Sequence, residues 1–80
     1  MEQTSLFDVK LMKEELIKST LKEVANSLNE RGYDAQNQLV GYLISGDPGF
    51  ISNYQDARSK ILELDRSEII KFLLSNYMEK

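Results

Sequence analysis

Between Leu11 and Arg31 apolar side chains return at the helical interval. Ile17, Leu21, Val24 and Leu28 are separated by steps of four, three and four, which places them on one stripe of a first helix. Glu14, Lys18, Lys22 and Glu23 take the other side, and Glu14 precedes Lys18 by four, the favourable order for an ion pair. Gly32 directly after Arg31 predicts the stop. Asp34 is a fitting N-cap for a second helix running to about Ser45, with Leu39, Val40, Leu43 and Ile44 as its stripe. Gly41 in its interior costs about 1 kcal/mol relative to alanine, a cost that the close approach of another helix would explain. Gly46 ends it.

Ser45-Gly46-Asp47-Pro48-Gly49 is the strongest turn signal in the chain. Asp47 before Pro48 also reads as a cap followed by the first position of a short helical turn, where the missing donor of proline does no harm. Phe50 and Ile51 then fold back as apolar plugs. A third helix is predicted over about Asn53–Leu64, with Tyr54, Ala57, Ile61 and Leu64 in line. A fourth, over about Arg66–Tyr77, starts after the N-cap Asp65. Its apolar positions, Ile69, Ile70, Phe72, Leu73, Leu74 and Tyr77, form a wider band than one packing face requires. The surplus predicts a contact surface for a partner subunit. Residues 1–10 are polar and aperiodic apart from Leu6 and Phe7, so they are assigned to a flexible amino-terminal tail, and residues 11–80 to one helical domain. With no β-alternation and no internal repeat, the fold class is all-α: a compact bundle of about four to five short helices.

Length changes this picture in one respect. Eighty residues make one domain whose core is small, so stability needs a supplement. The chain has no cysteine and no histidine, which removes disulfides and nearly every transition-metal site. Self-association remains, and a twofold homodimer is expected as the commonest closed symmetry. A net charge of -3, with the ten basic residues scattered singly from Lys10 to Lys80, argues against nucleic-acid binding. No run approaches the roughly 20 apolar residues of a membrane span, and no leader pattern opens the chain. A cytoplasmic location is expected, with no membrane insertion.

Catalytic chemistry finds no foothold. Ser-His and Cys-His arrangements are excluded by composition, and no strand–turn–helix elbow frames a Ser-Lys pair. The chain is read as no enzyme, with no cofactor and no metal. Asp47, Asp56 and Asp65 stand nine apart, unlike the alternating oxygens of a calcium loop, and read better as caps and solvated loop residues. The glycines from Gly41 to Asp47 are spaced as in a phosphate-binding loop, but Asp47 occupies the lysine position and helix precedes the turn. Tyr33, Tyr42, Tyr54 and Tyr77 lack a basic groove for base stacking and fit a core edge or interface. Thr4 and Ser5 are hydroxyls that a kinase could reach, and one phosphate adds about -1.5 to -2 charges. Most exposed threonines are merely solvated.

One stretch is more distinctive than any of these. Gly32-Tyr33, Asn37-Gln38-Leu39-Val40-Gly41-Tyr42-Leu43, Ser45-Gly46-Asp47-Pro48, Phe50-Ile51, Asp56-Ala57-Arg58 and Glu68-Ile69-Ile70, with Thr20 to Val24 before them, resemble the small IreB-type (YrzL-like) regulatory proteins of Gram-positive bacteria. The resemblance covers about three quarters of the chain. It implies a helical, dimeric fold with a disordered amino-terminal tail. It also implies a substrate of a membrane Ser/Thr kinase bearing PASTA domains, opposed by a cognate phosphatase, that restrains cephalosporin resistance within the cell-envelope stress response. The family phosphosite, a threonine with phenylalanine three positions later, falls on Thr4 and Phe7, with Ser5 a weaker candidate. A second threonine found in some members would fall on Met1, so that site is absent. The tail aligns only with a gap, Ala35-Gln36 replaces a proline-containing pair, and Ser67 stands where an acidic residue is common. Asn37, Gln38, Gly41, Tyr42, Gly46, Asp47, Pro48, Asp56 and Arg58 are carried over as family signature and candidate partner surface.

Three functions therefore compete. The first is a phosphorylated signalling regulator. The second is a constitutive adaptor that binds a partner around Gly46-Asp47-Pro48 and the fourth helix, its tail passive. The third, nucleic-acid binding, predicts steeply salt-dependent retention and is disfavoured by charge.

Overall fold

No glycine or proline interrupts the chain from Leu6 to Arg31, and one continuous helix, α1, occupies Leu6–Glu30. The computed structural model describes residues 6–79. The helix starts before the expected Leu11, so residues 6–10, read above as tail, are helical. An exposed helix end needs no apolar stripe, because elongation past an existing nucleus costs little; Val9 and Lys10 are both exposed. Residues 1–5 lie outside the described residues. The other end closes as a Schellman motif: Tyr33 N donates to Leu28 O at 2.9 Å and Gly32 N to Asn29 O at 3.0 Å. Gly32 takes φ +94°, a left-handed conformation that glycine adopts without a Cβ penalty.

Helix α2 spans Ala35–Ser45, capped by Asp34, whose Oδ1 accepts from Asn37 N at 3.1 Å. Its inward face is Ala35 and Tyr42, both buried, flanked by half-buried Leu39 and Leu43. Val40 and Ile44, expected in the stripe, are 44% and 79% exposed, because the helix is rotated to turn Tyr42 inward. Tyr42 is thus a core residue and not an edge one. Gly41 is explained differently from the expectation as well. What lies nearest is the Phe50 ring of the following 3-10 turn, and a Cβ at Gly41 would sit 2.5 Å from Phe50 Cδ1. Phe50 belongs to the 3-10 turn Pro48–Phe50, folded onto α2, and remains half exposed, whereas Ile51 is a fully buried plug.

The expected third helix is broken. A 3-10 turn, Tyr54–Asp56, precedes a short α3, Ala57–Ile61, and within the turn Gln55 and Asp56 take φ of 53° and 63°. Ile51 and Ala57, on either side of the kink, are both fully buried in the core. The stripe still works: Ala57, Ile61 and Leu64 are buried and Tyr54 is half-buried. Helix α4, Arg66–Met78, starts at the cap Asp65 as expected.

Among the described residues the fold is an all-α bundle of four helices, with α1 as the spine against which α2, α3 and α4 pack. Val24, Leu28, Ile51, Ile61 and Ile69, all fully buried, form its centre. The Cα radius of gyration is 13.9 Å, against about 12 Å for a compact domain of this length. The amino-terminal half of α1 and the carboxy-terminal half of α4 run side by side as an arm. Among the described residues Lys60 and Glu23 form an ion pair at 2.7 Å, joining α3 to α1; the expected Glu14–Lys18 pair does not form. Being partly exposed, the Lys60–Glu23 pair contributes little to stability.

Candidate functional site

The residues carrying the family resemblance converge on one feature, a strap of residues 46–58 laid across α2 and α1. Ser45 Oγ donates to Gly41 O at 2.7 Å and accepts from Asp47 N at 3.0 Å. Asp47 then caps the 3-10 turn, its Oδ1 accepting from Gly49 N at 2.8 Å, with Pro48 at the first position. Gly46 ends α2 at φ +77°, and the Arg66 guanidinium occupies the space a Cβ would need, 2.7 Å from it. Gln38 makes a two-point clasp with Ser52: its Nε2 donates to Ser52 Oγ at 3.1 Å, and its Oε1 accepts from Ser52 N at 2.9 Å. Arg58 Nε donates to Ile51 O at 2.8 Å. Asn37 braces the α2 cap, its Nδ2 donating to Asp34 Oδ2 at 2.7 Å.

Most of the signature residues thus hold the strap in place. Asn37, Gln38, Gly41, Tyr42, Gly46, Asp47, Pro48 and Arg58 have structural work to do; Asp56 is exposed at the left-handed kink with no side-chain cap bond. Three contributors escaped the sequence reading. Ser27, buried on α1, donates to Gln55 Oε1 at 2.7 Å and pins the kink; Ser52 completes the Gln38 clasp; and Arg31 stacks over the Tyr54 ring at 5.8 Å. Nothing local marks Ser27 or Ser52, whereas an aspartate tolerates the left-handed region and Asp56 was a fair hint of a turn. Among the described residues no buried side-chain polar atom lacks a partner.

The acidity of Asp65, at the start of α4, is shifted. Its carboxylate accepts from both Ser67 Oγ and Ser67 N at 2.9 Å. The Ser67 side chain foremost, then its backbone N–H, hold the carboxyl below the ordinary aspartate value. A depressed folded-state value means that this cap is in force above the ordinary carboxylate range and is lost as pH falls through the folded value. Carboxyl carbon NMR should place the Asp65 midpoint below that of an unstructured aspartate, and Ser67→Ala should move it up. A midpoint indifferent to Ser67 would contradict the assignment.

Part of the outer surface is apolar. On α4, Ile70, Leu73, Leu74, Tyr77 and Met78 are 38%, 44%, 53%, 79% and 75% exposed. Leu73 shares an open groove of about 430 Å³ with Val40 and Leu43 of α2. A contiguous apolar patch rimmed by polar residues marks a surface for contact. Thr4 and Ser5, the candidate phosphosites, lie outside the described residues.

Among the described residues no histidine, cysteine or carboxylate group is clustered to hold a metal, and no helix is long and apolar enough to cross a membrane. The described residues thus form a strapped helical body with part of its apolar surface exposed for contact. A family model described as IreB regulatory phosphoprotein matches residues 2–79, and the chain belongs to the IreB family. It is accordingly a small regulator and not an enzyme.

Proposed function

We propose that this chain is a cytoplasmic, homodimeric signalling regulator switched by phosphorylation of Thr4, with Ser5 secondary. The observation that carries this reading is the match to a family of regulatory phosphoproteins over residues 2–79, a span that includes Thr4. A PASTA-type membrane kinase passes the γ-phosphoryl group of ATP to Thr4 Oγ1, the bond to ADP breaks, and the hydroxyl proton leaves to a base of the kinase. A cognate phosphatase hydrolyses the ester. The added charge creates or abolishes a contact downstream, and the physiological output is the cell-envelope stress response, cephalosporin resistance included. The outward apolar residues of α4 support the dimer.

Incubation with the purified catalytic domain of a PASTA-type kinase should add one phosphate to the wild type and none to Thr4→Ala. Equal incorporation in both would eliminate Thr4. The adaptor reading draws on the same α4 surface, which owes nothing to the tail. It predicts a partner retained after residues 1–5 are deleted.

A further inference from the structure

Where α1 and α4 run side by side in the arm they leave a groove of about 350 Å³ between them. Its floor is Ile17 and Phe72, and Lys10, Lys13 and Lys71 stand along its walls with Glu14 and Glu68. Three ammonium groups against two carboxylates leave one positive charge in excess, on a protein whose net charge is -3. None of the five is ion-paired with another described side chain. We propose that this groove receives the first residues of the same chain, Met1–Ser5, once Thr4 carries a phosphate, so that the modification closes the arm onto itself. The proposal rests on the Thr4 reading above and names what the phosphate does.

Reach, charge and surface all favour this occupant. Thr4 is two residues from Leu6, where α1 begins, and two residues span at most about 7 Å. Lys10 and Lys13 lie about 6 and 10 Å along the helix from Leu6 at 1.5 Å per residue, and each lysine carries a long flexible stem. A chain that doubles back at Leu6 therefore brings a Thr4 phosphate within range of both ammonium groups, with Lys71 facing them from α4. Unmodified, the segment Met1–Ser5 has only Glu2 as a side-chain charge and gains little from the lysines. The phosphate supplies about -1.5 to -2 charges, which makes docking conditional on modification. The floor accepts an apolar side chain such as Met1.

Leu74 and Met78 of the apolar patch also line the groove, while its other residues lie on a different side of α4. At 100° per residue, Glu68, Lys71, Phe72 and Ser75 share one face, while Ile70, Leu73 and Tyr77 share the opposite one. A second copy seated on Leu73 and Tyr77 leaves the groove open.

The test uses the full-length chain with phosphothreonine installed at position 4 by semisynthesis, observed by amide NMR beside the unmodified chain. Shifts are expected at Lys71, Phe72 and Ser75, unchanged across protein concentration and lost to the noise in the double variant Lys13→Gln, Lys71→Gln. These lysines are exposed, so the variant keeps its fold, which its remaining spectrum reports. Shifts confined to the first turns of α1 would overturn the proposal. So would α4 shifts that grow with concentration, because they would place the segment on another molecule. Because the phosphate is placed chemically, failure of a kinase to modify Thr4 would sink the functional reading and leave this result standing, and the reverse holds equally.

Discussion

Ile61→Ala is expected to remove much of the stability of the fold. Ile61 is fully buried where α3 meets α1, and truncating a buried isoleucine costs about 2–5 kcal/mol, through lost transfer energy and the cavity left behind. A domain of 80 residues holds roughly 4–12 kcal/mol in total. Thermal unfolding followed by circular dichroism should show the midpoint down by upward of about 10 °C. Its neighbour provides the contrast. Leu62 is 50% exposed, and Leu62→Ala should stay within about 0.5 kcal/mol of the wild type, as surface substitutions do. Equal effects at the two positions would mean that α3 does not sit in the register described.

The second large effect is on the proposed homodimer. Leu73 and Tyr77 are one helical turn apart on the outward face of α4 and substantially exposed in the single chain. Leu73→Asp with Tyr77→Asp therefore spares the core while placing two charges where a second copy would have to desolvate them. Aromatic anchors near the centre of an interface carry much of its energy, so self-association should weaken at least about tenfold, equivalent to 1.4 kcal/mol or more. Sedimentation or light scattering against concentration reads the change, and circular dichroism checks that the helices persist. A variant that associates as well as the wild type would move the dimer contact elsewhere, to the α1 side of the arm, where Met12 and Leu16 are 67% and 57% exposed.

What could be read from sequence follows from how local the cause is. Helices α2 and α4 were legible because their signals are adjacent in the chain: Asp34 and Gly46 bracket one, and Asp65 opens the other, each through contacts within a few residues. The core stripes of α1 and α3 were legible because periodicity survives whatever packs against it. The kink at Gln55 and Asp56 was not, since Ser27, 28 residues away, holds it. Gly41 was noticed but misassigned, because what it accommodates is an aromatic ring nine positions later and not a helix. Val40 and Ile44 show a further limit: periodicity marks a face as apolar without saying whether it meets the core or the outside. The groove was invisible for the opposite reason. Lys10, Lys13 and Lys71 looked like scattered surface charges until α1 and α4 came together.

The signature residues carry a related lesson. Gln38, Gly46, Asp47 and Arg58, carried over as family signature and candidate partner surface, also have structural contacts: Gln38 ties Ser52 to α2, Asp47 and Arg58 bond within residues 46–58, and Gly46 makes room for Arg66. Substituting them would loosen the strap and disturb any partner indirectly. The α4 face, which the resemblance did not single out beyond Glu68 to Ile70, is the better candidate for direct contact.

The central claim is that a folded helical body presents Thr4 to an enzyme that modifies it. Tandem mass spectrometry of the chain purified from its native cells, with phosphatases inhibited, tests this most directly. The account predicts fragment ions that place phosphate on Thr4, and it is contradicted if the phosphate resides only on residues of the helical body or if the chain carries none.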